Sequence, residues 1–127
     1  MHIQTEPIGS VPRPSYLQNA LAAFSKNEIA LTELNVHIER ALKETIEAFE
    51  GTGSPVITDG EQSKPSFATY PLAGLQTLAP DGVIIPFADG HTRQLPKLTA
   101  GPFNYQAYAS DFLKKAKTLT TLPVKQA

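Results

Sequence analysis

From Leu31 to Glu50 apolar residues return at three- and four-residue intervals: Leu34, Ile38, Ala41, Leu42, Thr45, Ile46 and Phe49. This spacing predicts one long helix with a single apolar stripe, of the width that packs on a sheet. Glu33, Glu39, Arg40, Lys43, Glu44 and Glu47 fill the opposite face. Glu39 and Lys43 stand four apart in the favourable order, worth roughly 0.2–0.5 kcal/mol. Gly51 and Gly53 stop the helix, as glycines do at C-termini. Three β-favouring residues follow, Val56, Ile57 and Thr58. Upstream, Ile3 to Ser10 suits a strand, and the stiff Val11-Pro-Arg-Pro14 segment carries the chain away from it. Ser15 suits the N-cap of a shorter helix over Tyr16 to Phe24, with Leu17, Ala20, Leu21 and Phe24 on one face. Strand, helices, strand is a βαβ unit, whose strands run parallel through a right-handed crossover.

A parallel pair brings its strand ends to one edge of the sheet. Ile8-Gly9-Ser10 and Asp59-Gly60-Glu61 are therefore expected side by side. In α/β folds ligands bind where strands end. An acidic pair delivered there is a site candidate, and Gly9 permits close backbone approach. The residues alone leave a second reading open. Asp59-Gly60-Glu61 also suits a solvated turn, and Ser10 a turn cap. Arg13 could bind an anion, although a surface Arg between prolines is the commoner case. His37, near the edge of the helical stripe, reads as a packing or surface residue because no partner sits a turn away.

Beyond Glu61 the chain is polar and rich in turns. Phe67 and Tyr70 are candidate pocket walls or covers for the end of the core. Val83 to Leu95 carries a hairpin signal around Asp89-Gly90, and Pro86 marks it as an edge or an excursion. Pro96-Lys-Leu-Thr-Ala-Gly101 is a plausible third strand, and Tyr105 to Leu119 a helix with Lys114, Lys115 and Lys117 solvated. Leu122-Pro-Val-Lys-Gln-Ala127 opens a fourth strand. About three and a half β/α units would result. The fold class expected is α/β, the N-terminal part of a (β/α)8 barrel with an inserted β-hairpin. It forms one partial domain over 1–127, cut at the start of the fourth strand, because a complete barrel takes about 250 residues.

Composition narrows the function classes. The 127 residues carry 11 basic and 12 acidic side chains, so neither nucleic acid nor an anionic membrane is suggested as a partner. No apolar run approaches the roughly 20 residues that span a bilayer. The N-terminus lacks a signal-peptide pattern, which makes the cytoplasm the default location. There is no Cys, so disulfides and thiolate metal ligands are excluded for this chain.

Four segments in order carry a family resemblance: Ile8-Gly-Ser-Val-Pro-Arg-Pro14, the paired helices, Gly53-Ser-Pro-Val-Ile-Thr-Asp-Gly-Glu-Gln62 and Leu95-Pro-Lys-Leu-Thr-Ala-Gly-Pro102. Together they resemble the catalytic barrel of cobalamin-independent methionine synthase and its shorter paralogues. The resemblance implies a (β/α)8 methyltransferase. It would move a methyl group from a 5-methyltetrahydrofolate-type donor to the sulfur of homocysteine, with zinc holding the thiolate and no cobalamin. It implies that Ile8, Gly9 and Ser10 meet the amino acid through their backbone. Asp59 would shape the same strand end, and Glu61 would accept hydrogen bonds from the ammonium group. Arg13 and Lys64 resemble features of the shorter paralogues and leave a different thiol or methyl donor open. A non-catalytic module that binds amino acids or a partner is the remaining alternative. The family's zinc ligands (His, Cys, Glu and Cys) lie on later barrel strands, so no metal ligand and no catalytic residue is assigned here. The chain alone is expected to be inactive.

Overall fold

The computed structural model describes residues 3–66 and 68–126. Phe67, a candidate pocket wall, and Ala127, at the end of the expected fourth strand, lie outside them. The chain divides into two compact units, Met1–Lys64 with Ala109–Ala127, and Pro65–Tyr108.

The first unit is built on two helices. Helix α1 spans Ser15–Ser25 and α2 spans Leu31–Glu50. Ser15 is the first helical residue of α1 and not its cap. Pro14 takes the cap position in extended conformation, and its carbonyl accepts from Leu17 and Gln18 N–H at 3.0 and 3.1 Å. A proline suits that place because its φ is already fixed and it has no N–H to lose. The C-terminus of α1 closes with Asn27 in the left-handed region, φ 60°. Glu28 N–H reaches back to Ala23 O and Asn27 N–H to Phe24 O, the paired bonds of a Schellman turn.

The apolar stripe of α2 serves two clusters. Its N-terminal half, Leu34 and Ala41 with Ile38 beside them, packs on Leu17 and Ala20 of α1. Its C-terminal half, Leu42 and Ile46 with Phe49, packs on Ile57, Val124 and Leu122, and on Ala116 of α3, which spans Ala109–Lys117. Leu17, Leu42 and Ile57 are fully excluded from solvent. On the exposed side Tyr16 donates to Glu44 at 2.7 Å while Arg40 pairs with Glu44 at 2.8 Å and lies over the Tyr16 ring. Loss of solvation, with the Glu44 carboxylate beside it, pushes the Tyr16 hydroxyl up to about 12. His37 sits 6.1 Å from the Tyr16 ring, in the packing role its position suggests. Lys115 of α3 reaches Glu39 of α2 at 3.1 Å, and Lys114 pairs with Asp111, so these lysines do face solvent-side partners.

The β structure differs from expectation in three places. Ile3 to Ser10 forms no strand. Pro7 removes a ladder donor, and Thr5 and Gly9 are instead held by side chains, through Ser54 Oγ and Thr58 Oγ1. The Val56–Thr58 strand reduces to one parallel bridge, Ile57 with Val124, closed by Ile57 N–H to Pro123 O and Lys125 N–H to Ile57 O. Pro55 and Pro123 limit how far the ladder can extend. The expected third strand takes an antiparallel partner. Lys97–Leu98 (β4) pairs antiparallel with Leu78–Ala79 (β1) in the second unit. The segment expected as fourth strand supplies the parallel partner of the second.

The second unit holds a 3-10 turn, Tyr70–Leu72, and two separate two-stranded antiparallel sheets. One is β1 with β4. The other is the expected hairpin, Ile84–Pro86 (β2) with Thr92–Gln94 (β3), in register Ile84↔Gln94 and Pro86↔Thr92. Its turn closes through Gly90 at φ 88°. None of this unit's described residues is buried. The molecule is thus a mixed α/β fold with unclosed sheets. Among the described residues no helix is long and apolar enough to cross a membrane.

Candidate functional site

The buried polar residues Thr58, Asp59, Gln62 and Lys64 fall within a single seven-residue run, each at most 2% exposed. The apolar bridge at Ile57 carries this run out of the core beside Val124, and α2 backs it. Burying so many polar groups requires internal partners, and the run makes them. Thr58 Oγ1 donates to Gly9 O and accepts from Gly60 N–H, both at 3.1 Å. Asp59 Oδ1 accepts from Glu61 N–H at 2.9 Å, and its Oδ2 lies 3.4 Å from Gln126 Nε2. Gln62 Nε2 donates to Val11 O at 3.2 Å, and Val11 N–H donates to Gly60 O at 3.1 Å.

Two consecutive residues of the turn are left-handed, Gly60 at φ 61° and Glu61 at φ 56°. The glycine is required twice over. A Cβ there would lie 2.7 Å from Thr45 Cγ2 and 2.8 Å from Val11 Cγ2. Glu61 has no such excuse, and a non-glycine residue held in this region costs about 1 kcal/mol or more. The surroundings hold it. Arg13 donates through Nη2 to the carbonyls of both Glu61 and Lys64. Lys64 Nζ stands 3.4 Å from Glu61 Oε1, its side chain only 1% exposed and that of Glu61 14%. Buried polar contacts thus hold the turn in a conformation that costs energy.

The expected site residues are distributed as follows. Gly9 and Val11 accept from the Thr58 and Gln62 side chains, and Val11 N–H donates to Gly60 O, so the two motifs come together without a first strand. Asp59 is buried and supports the Glu61 amide. Ile8, 92% exposed, and Ser10 point away from the core. Arg13, expected on the surface, is half-buried over the turn. Thr58 and Gln62 were not singled out by sequence reasoning. The signal available was a polar run that directly continues an apolar strand with a glycine inside it. Among the described residues, Arg13 Nε, Gln62 Oε1 and Ser63 Oγ are buried without a hydrogen-bond partner.

Among the described residues no group of three or more His, Asp or Glu could hold a metal ion, and the chain has no Cys. The residues present therefore do not fit a zinc centre of the His-Cys-Glu-Cys kind.

No family model matches this chain, and no curated protein does. Among solved structures, a B12-independent methionine synthase from Shewanella sp. W3-18-1, in complex with selenomethionine, matches 94% of it with a TM-score of 0.69 and 19% sequence identity. The chain spans 36% of that protein's length. At this identity the likeness is one of fold.

Proposed function

We propose that this chain forms part of a (β/α)8 barrel of the methionine-synthase type and contributes the amino-acid end of its thiol site. The reaction is methyl transfer from a 5-methyltetrahydrofolate-type donor to the sulfur of homocysteine. The observation that carries the reading is the meeting of Gly9–Val11 with the strained turn from Thr58 to Glu61. The Glu61 carboxylate suits an ammonium, and the backbone amides of Ile8, Gly9 and Ser10 would suit the carboxylate of the same amino acid. The similar solved structure is of a complex with an amino acid, selenomethionine. In this reading Glu61 receives the ammonium group, Asp59 holds the Glu61 amide, and the backbone of Ile8, Gly9 and Ser10 lies along the ligand.

Zinc chemistry would activate the thiol as a thiolate. Its ligands would have to come from outside these residues, so the chain alone is not expected to transfer methyl groups. A second reading, a paralogue acting on another thiol, is favoured by the Lys64–Glu61 pair. The test is a titration of the isotopically labelled chain with L-homocysteine at millimolar concentration. Amide shifts should concentrate at residues 8–10 and 59–61. Shifts confined to other parts of the chain would sink the proposal.

A further inference from the structure

Lys64 is the largest of the fully buried side chains, and its ammonium lies against the carboxylate to which the proposed function gives a ligand's ammonium. We infer that Lys64 is a tethered competitor: its Nζ occupies, on Glu61, the seat that an incoming α-ammonium would take. This inference rests on the amino-acid reading of the turn and adds the residue that sets its selectivity.

The physical argument has three parts. First, the pair is enclosed, so its attraction is little screened by water or salt. Secondly, the carboxylates are already engaged. Lys64 Nζ stands 3.4 Å from the Glu61 carboxylate, while Asp59 is engaged by the Glu61 amide and Gln126, so a further ammonium entering the turn finds Glu61 already paired. Thirdly, the geometry is short-range and specific. Lys64 lies three residues after Glu61, and Lys64 N–H donates to Glu61 O at 3.3 Å, which folds the side chain back over the turn. Arg13 clasps both carbonyls and fixes that return. An α-amino thiol must displace Lys64 from Glu61 before it can use the carboxylate, whereas a thiol acid without an amine need not. Lys64 thus handicaps ligands with an ammonium group by competition at one atom.

Chemical rescue tests this. Lys64→Ala removes three carbons and the nitrogen, the outline of n-propylammonium. Thermal unfolding of the Lys64→Ala chain should shift up saturably, by about 4 °C or more, with n-propylammonium chloride and not with n-propanol. The Glu61→Gln/Lys64→Ala chain should show no such shift. L-Homocysteine should then stabilise Lys64→Ala about tenfold more tightly than the unmodified chain, and γ-mercaptobutyrate should not discriminate between them. Absence of amine rescue, or rescue that survives Glu61→Gln, overturns the seat. Amine rescue with no response to homocysteine establishes the seat and overturns the amino-acid reading beneath it. Should Lys64→Ala not fold, the Lys64 ammonium proton exchange of the unmodified chain is compared with that of Glu61→Gln. Exchange accelerated at least tenfold supports the pair, and unchanged exchange overturns it.

Discussion

The two units of this molecule put similar fractions of apolar residues to different ends. The unit formed by Met1–Lys64 and Ala109–Ala127 buries Leu17, Leu34, Leu42, Ile46 and Ile57, and encloses a polar turn as well. The unit Pro65–Tyr108 leaves Val83, Ile84, Phe87, Phe103 and Tyr105 each more than 40% exposed. The contrast is one of periodicity and length. A 20-residue helix gathers its apolar residues on one stripe and can face two neighbours at once. Strands of two or three residues, interrupted by Pro86 and Pro96, present too little continuous surface to form a core. Stability should follow the same division.

The largest effects are expected in the first unit. Leu42→Ala removes a fully buried side chain between α2 and the bridge, and should cost about 2–5 kcal/mol in chemical denaturation. Ile84→Ala, at a position 57% exposed, should stay within about 0.5 kcal/mol. Equal losses at the two positions would break the contrast. Gly60→Ala comes next. The left-handed φ and the two contacts under 3 Å predict a loss of about 1–3 kcal/mol, together with disturbed amide signals at Val11 and Thr45. Thr58→Val keeps the shape and removes the hydroxyl that joins Gly9 to Gly60. It should cost about 1–3 kcal/mol and raise amide exchange at Gly60.

The smallest effect is electrostatic and appears only in alkali. The folded Tyr16 hydroxyl titrates near 12 and the free side chain near 10. A pKa raised by folding means that the neutral form is favoured in the native state. The contribution is complete below about 10 and is lost as pH rises from there through 12. The melting temperature of the unmodified chain should therefore fall more steeply across that window than that of Tyr16→Phe. Parallel profiles would show that the Tyr16–Glu44 contact does not couple to folding. Native-state hydrogen exchange would sharpen the comparison further, with amides of residues 84–94 exchanging well before those of α2.

The helices were legible because their signals are local. The stripe of α2 lies within one turn of itself, and Gly51 and Gly53 mark its end. The hairpin was legible for the same reason, from Asp89-Gly90 between two β-prone runs. The helix expected over Tyr105 to Leu119 is shorter in the structure, since Tyr105 and Tyr108 continue the apolar pattern yet lie outside α3, more than half exposed. Parallel pairing is another matter. Whether Ile57 bonds to residues near Leu98 or near Val124 depends on a partner some 40 or 67 residues away, and both stretches are β-prone. Nothing local separates them.

The chain's own residues determined that a long one-sided helix would be backed by apolar partners. They also determined that a turn with Gly60 at its centre would follow the apolar run, and that no thiolate metal site could form. Tertiary structure decided the rest. It chose Val124 as the partner of Ile57, left Ile3–Ser10 outside any ladder, and turned Lys64 inward onto Glu61. The physical reason is that periodicity fixes which side of an element is apolar, whereas burial of a charge depends on what else arrives in the same place. A lysine three residues from a glutamate is a surface pair in most sequences. Here the carbonyl clasp by Arg13 and the packing of the turn on α2 shut the water out and make it an internal one.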